Sequence, residues 1–417
     1  MIDYAQALQI LHQAAVALPV ERIPSALAAG RVLAADVISE VALPPFDNAA
    51  MDGFALCGGG GTIAAGTGFA VTGSQAAGEA SQVAGHGAWE IMTGARVPDG
   101  LDAVVQVEKV EVLAEHAGRP TRIRLLDDVA PGCNLRRAGE DVAVGQLVIA
   151  AGQTLGVVEV TLLHALGVAQ VPVVAPPQVA LIATGSELVD DPARSLESGQ
   201  IRDSNRPFLR GRLQAAGASV VLEGLVGDDV DAFHALLDQT LQQGAHLVIS
   251  TGAVSMGRYD FIPDALRARG ARIAFHKVAI RPGKPVLFAV LPEGALYFGL
   301  PGNPVSAAVG LRFFVEPVLR RMQGLPPEAP LQLPLRGTLK KPSDFRLHTR
   351  AQVRHDPHGR LYAEVLPQQE SFRLMPMLQA NAWVVVPAGV AEVGEGSRVD
   401  AYGLGHHQPI QLSVREH

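Results

Sequence analysis

Short apolar runs alternate with helix signals through the middle of the chain. Val179 to Ala183 and Leu247 to Ser250 have the length and composition of buried strands. Helices are predicted after Ser204, after Asp228 as a cap, and from Asn303 to about Met322, with asparagine as cap and proline in the first position. Strands that alternate with helices form a parallel sheet covered by helices. The pattern predicts a doubly wound domain at 178–326.

Three apolar runs in this domain end in loops of glycine, proline and charge. These loops are Gly252 to Gly257, Arg281 to Lys284 and Gly299 to Pro304. In open α/β sheets the ligand crevice lies outside the carboxyl ends of the strands. The cations Lys277, Arg281 and Lys284 stand in or beside one of these loops, so an anionic ligand is predicted there.

The regions on either side of this domain have a different sequence pattern. Short strands separated by glycine-containing turns predict a β-rich inserted module at 41–139, and residues 1–40 with 140–177 are predicted to form a linking α/β segment. Residues 327–417 contain short strands, the last of them Ile410 to Val414, and predict a small β-barrel or sandwich. The predicted fold class is therefore a multidomain α/β protein with a central doubly wound domain.

Composition narrows the class of protein. The 417 residues carry a formal net charge of −7, which argues against a nucleic-acid partner because phosphate contacts need a basic face. Cys57 and Cys133 lack metal-site spacing, and reduced thiols in the cytoplasm are the simplest interpretation. The apolar runs are interrupted before they reach the roughly eighteen residues of a membrane span. A cytoplasmic protein with no membrane partner is predicted.

Glycine loops and helix N-termini bind phosphate through free backbone N–H groups. The predicted phosphate-binding positions are Gly252, Ser255, Gly257, Lys284, Gly302 and Asn303.

Carboxylates follow the ends of the same strands. Magnesium prefers one or two carboxylates together with phosphate oxygens, so Glu187 and Asp260 are predicted to hold Mg²⁺. For Asp228, helix capping and a role in chemistry remain equal alternatives. His406 and His407 are interpreted as surface residues, and the sequence lacks the G-x-S-x-G elbow of acyl transferases at Ser186.

Eight segments of the chain form a recognisable set when they are taken together and in order. Three of them read PPFDNAAMDG at 44–53, KVAIRPGKP at 277–285 and GLPGNPVS at 299–306. The others are Ile91 to Ala95, Asp102 to Val105, Arg136 to Asp141, Thr184 to Leu188 and Gly199 to Asn205. Over nearly the whole chain, this set resembles the molybdopterin molybdenumtransferase family, which includes bacterial MoeA and the E domain of gephyrin.

The resemblance implies insertion of molybdate into adenylylated molybdopterin, with magnesium dependence and release of AMP. It also implies an elongated homodimer in which Asp52 and Thr93 face the partner's doubly wound domain, and a molybdoenzyme or nucleotidyltransferase as handover partner. The positions implied as catalytic are Asp52, Thr93, Asp141, Asp228 and Lys277. Those implied as molybdate-binding are Lys277, Arg281, Pro282, Arg350 and Ser371.

The chain also departs from the family pattern. Ala253 stands where a second glycine is usual, and would cost about 1 kcal/mol if that position needs a positive φ. Arg281 replaces a frequent lysine, and Ala49 and Phe54 lack hydroxyls that relatives often carry. Glu370 and Phe372 replace small residues around Ser371.

Two alternative functions remain open at this point. One is the preceding step, adenylylation of molybdopterin, although the modules at 1–177 and 327–417 exceed what that reaction needs. The other is a dimeric scaffold or handover protein, which the retained acids and bases disfavour. Molybdate and tungstate share shape and charge, so the sequence does not choose between them.

Overall fold

The computed structural model describes residues 1–80, 82–254 and 260–412. The chain divides into two compact units. Unit 1 contains Met1–Arg22, Gly30–Ala34 and Pro172–His417, and unit 2 contains Ile23–Ala29 and Ala35–Val171. No helix within the described residues is long and apolar enough to cross a membrane.

The first part of the chain is rich in short strands. Its helices are α1 (Tyr4–Ala14) and α2 (Val157–Ala165). Its strands are β1 (Val20–Pro24), β2 (Val37–Ile38), β3 (Asn48–Ala49), β4 (Gly53–Leu56), β5 (Gly68–Gln75), β6 (Ala88–Ile91), β7 (Ala103–Gln106), β8 (Val110–His116), β9 (Arg119–Leu125), β10 (Leu135–Arg136), β11 (Leu147–Ile149) and β12 (Gln170–Val174).

Unit 2 is built on a six-stranded sheet in the order β7-β4-β6-β5-β9-β8. Alternate residues of β4 point to opposite faces of the sheet. Phe54 and Leu56 therefore join one buried cluster, while Ala55 joins another with Trp89. The sheet holds the loops that precede β4 and follow β6, where two predicted site residues lie.

The middle of the chain alternates between strands and helices, as predicted. The elements are β13 (Gln178–Thr184), β14 (Leu188–Val189), β15 (Ile201–Arg202), α3 (Asn205–Ala215), β16 (Ser219–Val226), α4 (Val230–Gln242), β17 (Leu247–Thr251), α5 (Ile262–Ala268), β18 (Arg272–His276), β19 (Ile280–Arg281), β20 (Leu287–Val290), β21 (Leu296–Leu300), α6 (Pro304–Gly310), a π-helical turn (Leu311–Val315) and α7 (Glu316–Met322). The last three are consecutive and are called the long helix below.

The main sheet of unit 1 has the order β16-β13-β17-β21-β20-β18. The first four strands are parallel to one another, and β20 is antiparallel to both of its neighbours. Both faces are covered. Leu181 and Phe298 pack with the long helix on one face, and Ile182 and Tyr297 pack with α4 and α5 on the other. This is the doubly wound domain that the alternating pattern predicted.

The C-terminal part is a small closed barrel. Its elements are β22 (Leu331–Arg336), β23 (Leu339–Lys340), β24 (Arg346–His355), β25 (Leu361–Val365), α8 (Met375–Gln379), β26 (Ala382–Val386), β27 (Glu392–Val393) and β28 (Arg398–Gly403). The order β24-β25-β22-β28-β26 closes because β26 also pairs with β24. The predicted fold class is confirmed.

Some local predictions were wrong. The segment Ile410 to Leu412 is not a strand, and the rest of that predicted strand lies outside the described residues. Asp229 rather than Asp228 caps α4, because the Asp229 carboxylate accepts hydrogen bonds from Asp231 N and Ala232 N.

His406 is not a surface residue. Its side chain is fully buried, with Nδ1 3.5 Å from an oxygen of the buried Glu316. Adjacent polar histidines near the chain end look exposed in sequence, and only the tertiary fold brings one of them to a buried carboxylate.

Candidate active site

The glycine loops that follow the parallel strands meet at one edge of the sheet in unit 1. Strands β13, β17 and β21 are neighbours, and their carboxyl ends carry Thr184, Gly252 and Gly302. Gly252 N donates to Leu300 O at 3.0 Å, and Thr184 Oγ1 donates to Thr251 O at 3.0 Å. Two of the predicted phosphate-binding loops are therefore side by side.

Position 252 requires glycine, both because of its backbone conformation and because there is no room for a side chain. Its φ is +90°, and a Cβ at this position would lie 2.5 Å from Thr184 O. Ala253 follows with a φ of 49°, so the departure from glycine falls on a left-handed position. The predicted residues Ser255 and Gly257 lie outside the described residues.

The three predicted cations lie around the end of β18, which is parallel to β21 through the two antiparallel pairings of β20. Lys277 follows β18 directly and is half-buried, whereas Arg281 and Lys284 are exposed. Within the described residues none of the three makes an ion pair or a side-chain hydrogen bond. Three positive charges are thus available to a ligand.

The loop that carries Arg281 packs on the start of the long helix. Arg281-Pro282 is a cis peptide bond, and Gly283 has a φ of +95°. A Cβ on Gly283 would lie 3.4 Å from Ser306 O and 3.7 Å from a methyl carbon of Val309. The cationic loop therefore lies against the helix turn that follows Gly302 and Asn303.

The barrel contributes Arg350 and Ser371. Strand β19 pairs with β24, so the chain at Arg281 is joined to the strand that carries Arg350. Ser371 O accepts a hydrogen bond of 3.0 Å from Val305 N in the first turn of the long helix. Arg350 is completely buried, and backbone carbonyls of the loop around Ser371 accept its hydrogen bonds. The barrel thus brings the Ser371 loop to the same helix turn.

The carboxylates at the strand ends form a second feature of the crevice. Glu187 and Asp228 follow the adjacent parallel strands β13 and β16. Ser186 Oγ donates to Asp228 Oδ2 at 3.1 Å and accepts from Asp228 N at 3.2 Å. Since Asp229 is the helix cap, the capping alternative for Asp228 is removed. Ser186 had no signal in the sequence beyond its place at the end of a strand.

The carboxylates of Glu187 and Asp260 are of the chemical type that binds magnesium. The described residues contain no group of three or more His, Cys, Asp or Glu side chains placed to hold a metal. Magnesium uses one or two carboxylates and takes the remaining oxygens from phosphate and water. Glu187 and Asp260 would supply the former, and their assignment stays a prediction.

In unit 2, Asp52 and Thr93 form a closely bonded pair. Asp52 Oδ1 accepts 2.6 Å from Thr93 N and 2.8 Å from Thr93 Oγ1. The two residues meet because Asp52 precedes β4, Thr93 follows β6, and these strands pair. Hydrogen bonds from the Thr93 backbone and then its hydroxyl lower the pKa of Asp52. Asp141 is also exposed, and its N–H donates to Leu43 O.

Two further residues, His276 and Gln369, hold the loops of the candidate site in place, and no sequence motif pointed to either of them. His276 Nε2 lies 2.6 Å from Val254 O, so the residue before Lys277 is bonded to the loop after Gly252. The Gln369 side chain forms hydrogen bonds both with Arg350 and with Leu366 O of its own loop. A well-defined cavity of about 340 Å³ lies elsewhere in unit 1, lined by Tyr4, Arg312 and Tyr402 among others, and contains none of the predicted site residues.

Comparison with known proteins agrees with this architecture. Three family models match: "MoeA N-terminal region (domain I and II)" at residues 2–167, "Probable molybdopterin binding domain" at 180–321 and "MoeA C-terminal region (domain IV)" at 332–404. The four-domain boundaries predicted above are not tested by these matches and stay a prediction.

Similar proteins match most of the chain. The molybdopterin molybdenumtransferase of Synechococcus elongatus is 37% identical over 415 residues, which is 97% of this chain and 100% of the relative. That of Bacillus subtilis is 32% identical, covering 88% and 86%. The crystal structure of the MoeA protein from Pyrococcus horikoshii matches with a TM-score of 0.80 and 27% identity over 97% of this chain and 99% of that one. The chain belongs to the molybdopterin molybdenumtransferase family.

Proposed function

We propose that this protein transfers molybdate into adenylylated molybdopterin and releases AMP, as a step of molybdenum cofactor biosynthesis. The proposal rests on three cations beside the loops at Gly252 and Gly302, Lys277, Arg281 and Lys284, which make no ion pair within the described residues. Both substrates are anions and repel each other, so a site that joins them needs positive charge that is not already neutralised. Family membership supplies the identity of the two anions.

The chain's own residues divide the work. Lys277 and Arg281 bind the tetrahedral oxyanion, for which an ammonium and a guanidinium fork are suited. Backbone N–H groups around Gly252 and Gly302 orient the phosphates of the pterin substrate. Asp52, held ionised by Thr93, and Asp228 are the carboxylates available to accept a proton from the water that cleaves the phosphoanhydride bond. Magnesium, held by Glu187 and Asp260, would neutralise charge on the leaving phosphate.

We also propose that the protein works as a cytoplasmic homodimer in which Asp52 and Thr93 complete the partner's site. Cys57 and Cys133 are both free thiols, which is consistent with a reducing compartment. Mixing Asp52→Asn protein with Lys277→Ala protein tests the shared site, because mixed dimers regain one intact site. If the mixture stays as inactive as the two variants, the shared site is rejected.

The central experiment incubates purified protein with adenylylated molybdopterin, molybdate and Mg²⁺, and measures AMP and pterin-bound molybdenum. Both products are expected in equal amounts and only when all three components are present. Turnover of ATP with free molybdopterin, without AMP release from the adenylylated form, would instead support the adenylyltransferase function. Absence of both reactions would favour a scaffold or handover role. A tungstate arm shows which oxyanion is preferred.

A further inference from the structure

Arg350 is buried in a way that limits what else it can bind. Its side chain has no exposed surface. The guanidinium donates to Arg373 O at 2.7 Å, to Gln368 O at 3.0 Å, to Glu370 O at 3.3 Å and to Gln369 Oε1 at 3.3 Å. A guanidinium has five N–H donors, so these four bonds leave little capacity for an oxyanion.

Gln369 completes the arrangement from the other side. Its Oε1 also accepts 3.0 Å from Arg350 N, and its Nε2 donates to Arg350 O at 2.9 Å and Leu366 O at 2.7 Å. A primary amide can donate two hydrogen bonds and accept two, so this side chain is fully used. The preceding Gln368 has a φ of 58°, and its left-handed conformation helps turn the chain back toward β24.

The bonded loop, residues 366–373, ends at the candidate active site. Ser371 O accepts from Val305 N, one of the first N–H groups of the long helix, which have no partner within the helix. The large apolar side chains that follow Ser371 do not anchor the loop, because Phe372 is 62% exposed and Leu374 is 49% exposed, and the ion pair between Glu370 and Arg373 lies within the loop itself. Polar bonds to Arg350 and Gln369 are therefore the main restraint on the position of Ser371.

We propose that Arg350 and Gln369 form a positioning pair that holds Ser371 at the first turn of the long helix, and that Arg350 does not itself contact the oxyanion. The proposal rests on the proposed function for its substrate, and it adds Gln369 as a residue on which molybdate binding depends. It also changes the role of Arg350 from a ligand to a support.

The test compares Gln369→Leu, Arg350→Lys and Ser371→Ala in the AMP-release assay. Gln369→Leu keeps the side-chain size and removes its four hydrogen bonds. We expect it to raise KM for molybdate about tenfold, the scale of a lost hydrogen bond or two, with a smaller change in kcat. Adding Ser371→Ala to Gln369→Leu should cause no further increase. Arg350→Lys should match Gln369→Leu although it keeps the charge.

The matched control is Gln352→Leu. Gln352 lies on the same strand as Arg350, is half-buried, and donates to Gln379 O rather than to residues 366–373. It should leave KM for molybdate unchanged. A wild-type KM in Gln369→Leu would overturn the proposal, as would effects of Gln369→Leu and Ser371→Ala that multiply, or near-normal molybdate binding in Arg350→Lys.

A second measurement separates this proposal from the proposed function. Hydrogen–deuterium exchange of the backbone amides in 366–373 and of Val305 should be faster in Gln369→Leu than in the wild type, whichever substrate the protein uses. Unchanged exchange rejects the positioning pair. Absence of any molybdate dependence in the wild type, with faster exchange in the variant, rejects the proposed substrate and keeps the positioning pair.

Discussion

Two sets of cations in unit 1 differ in whether they already have partners. Arg312 and Arg350 are buried, and each is bonded to carboxylates or carbonyls of the fold. Lys277, Arg281 and Lys284 are partly or fully exposed and have no ion pair within the described residues. Arg312 and Arg350 therefore stabilise the fold, whereas Lys277, Arg281 and Lys284 are available for the proposed ligand, although the two sets look alike in the sequence.

The largest expected effect is on stability, and it comes from removing Glu316, the carboxylate that pairs with the buried Arg312. Glu316 is 1% exposed and lies 3.3 Å from Arg212 Nη2 and 3.2 Å from Arg312 Nη1. Glu316→Ala leaves two guanidinium groups without this carboxylate, and loss of one member of a buried ion pair costs about 3–5 kcal/mol. Urea unfolding should show this loss. Glu392→Ala, which breaks an exposed pair with Lys340, should cost about 0–1 kcal/mol.

The pH dependence of the same group has a definite sign. Burial opposes ionisation of Glu316, but His406 and Arg312 outweigh it and hold its pKa below the ordinary value of 4.5. A carboxyl with a lowered folded pKa contributes stability above its unfolded pKa and loses it as pH falls. The difference between wild type and Glu316→Ala should therefore be constant near neutral pH and shrink below pH 4.5. A difference that grows in acid would contradict the assignment of an ionised Glu316.

Removing an unpaired cation should instead affect activity. Lys277→Ala is expected to lower kcat/KM for molybdate by roughly 10²–10³, the scale of one lost electrostatic donor in an active site. Stability should change little, because the Lys277 side chain has no ion-pair or hydrogen-bond partner among the residues that the structure describes. Lys340→Ala, an exposed lysine of the barrel region, is the control and should keep wild-type activity. A strongly destabilised Lys277→Ala with near-normal kcat/KM would reverse the comparison.

A smaller effect, on a pKa, is expected in unit 2, where the group that already has hydrogen-bond partners is the Asp52 carboxylate. Thr93→Val removes the hydroxyl bond to Asp52 and keeps the backbone bond, which is the larger cause of the lowered pKa. The pKa of Asp52 should rise toward 3.8 without reaching it. NMR titration of the Asp52 carboxyl measures this directly, and Thr93→Ser should behave as the wild type. No change in Thr93→Val would mean that the hydroxyl does not bond the carboxylate in solution.

Much of this organisation follows from the sequence. Alternating strands and helices predicted the doubly wound sheet, and its topology brings Gly252 and Gly302 together because parallel strands end at one edge. The sequence does not predict that the hydrogen-bond donors of Arg350 are already used within the fold. Their acceptors are the Gln369 side chain and backbone carbonyls of the loop, and carbonyls carry no residue-specific signal. The burial of His406 likewise depends on Glu316, ninety residues earlier in the chain.

The smallest expected effect is at Ala253, beside the unpaired cations. Its φ of 49° is left-handed, which costs a non-glycine residue about 1–2 kcal/mol. Glycine removes that cost, but its greater freedom in the unfolded chain lowers the free energy of unfolding by about 0.5–1 kcal/mol. Ala253→Gly should therefore stabilise the protein by about 0.5–1 kcal/mol in urea unfolding.

Ala117 provides the matched control because it has nearly the same φ, 50°, in the turn between β8 and β9 of unit 2. Ala117→Gly should give a similar gain in stability and leave KM for the pterin substrate unchanged. Ala253→Gly should change that KM, because the residue lies in the loop that is proposed to bind the phosphates. Equal stability gains with no change in KM for either variant would show that Ala253 only carries strain, and would confine the ligand-binding role to Gly252 and the cations.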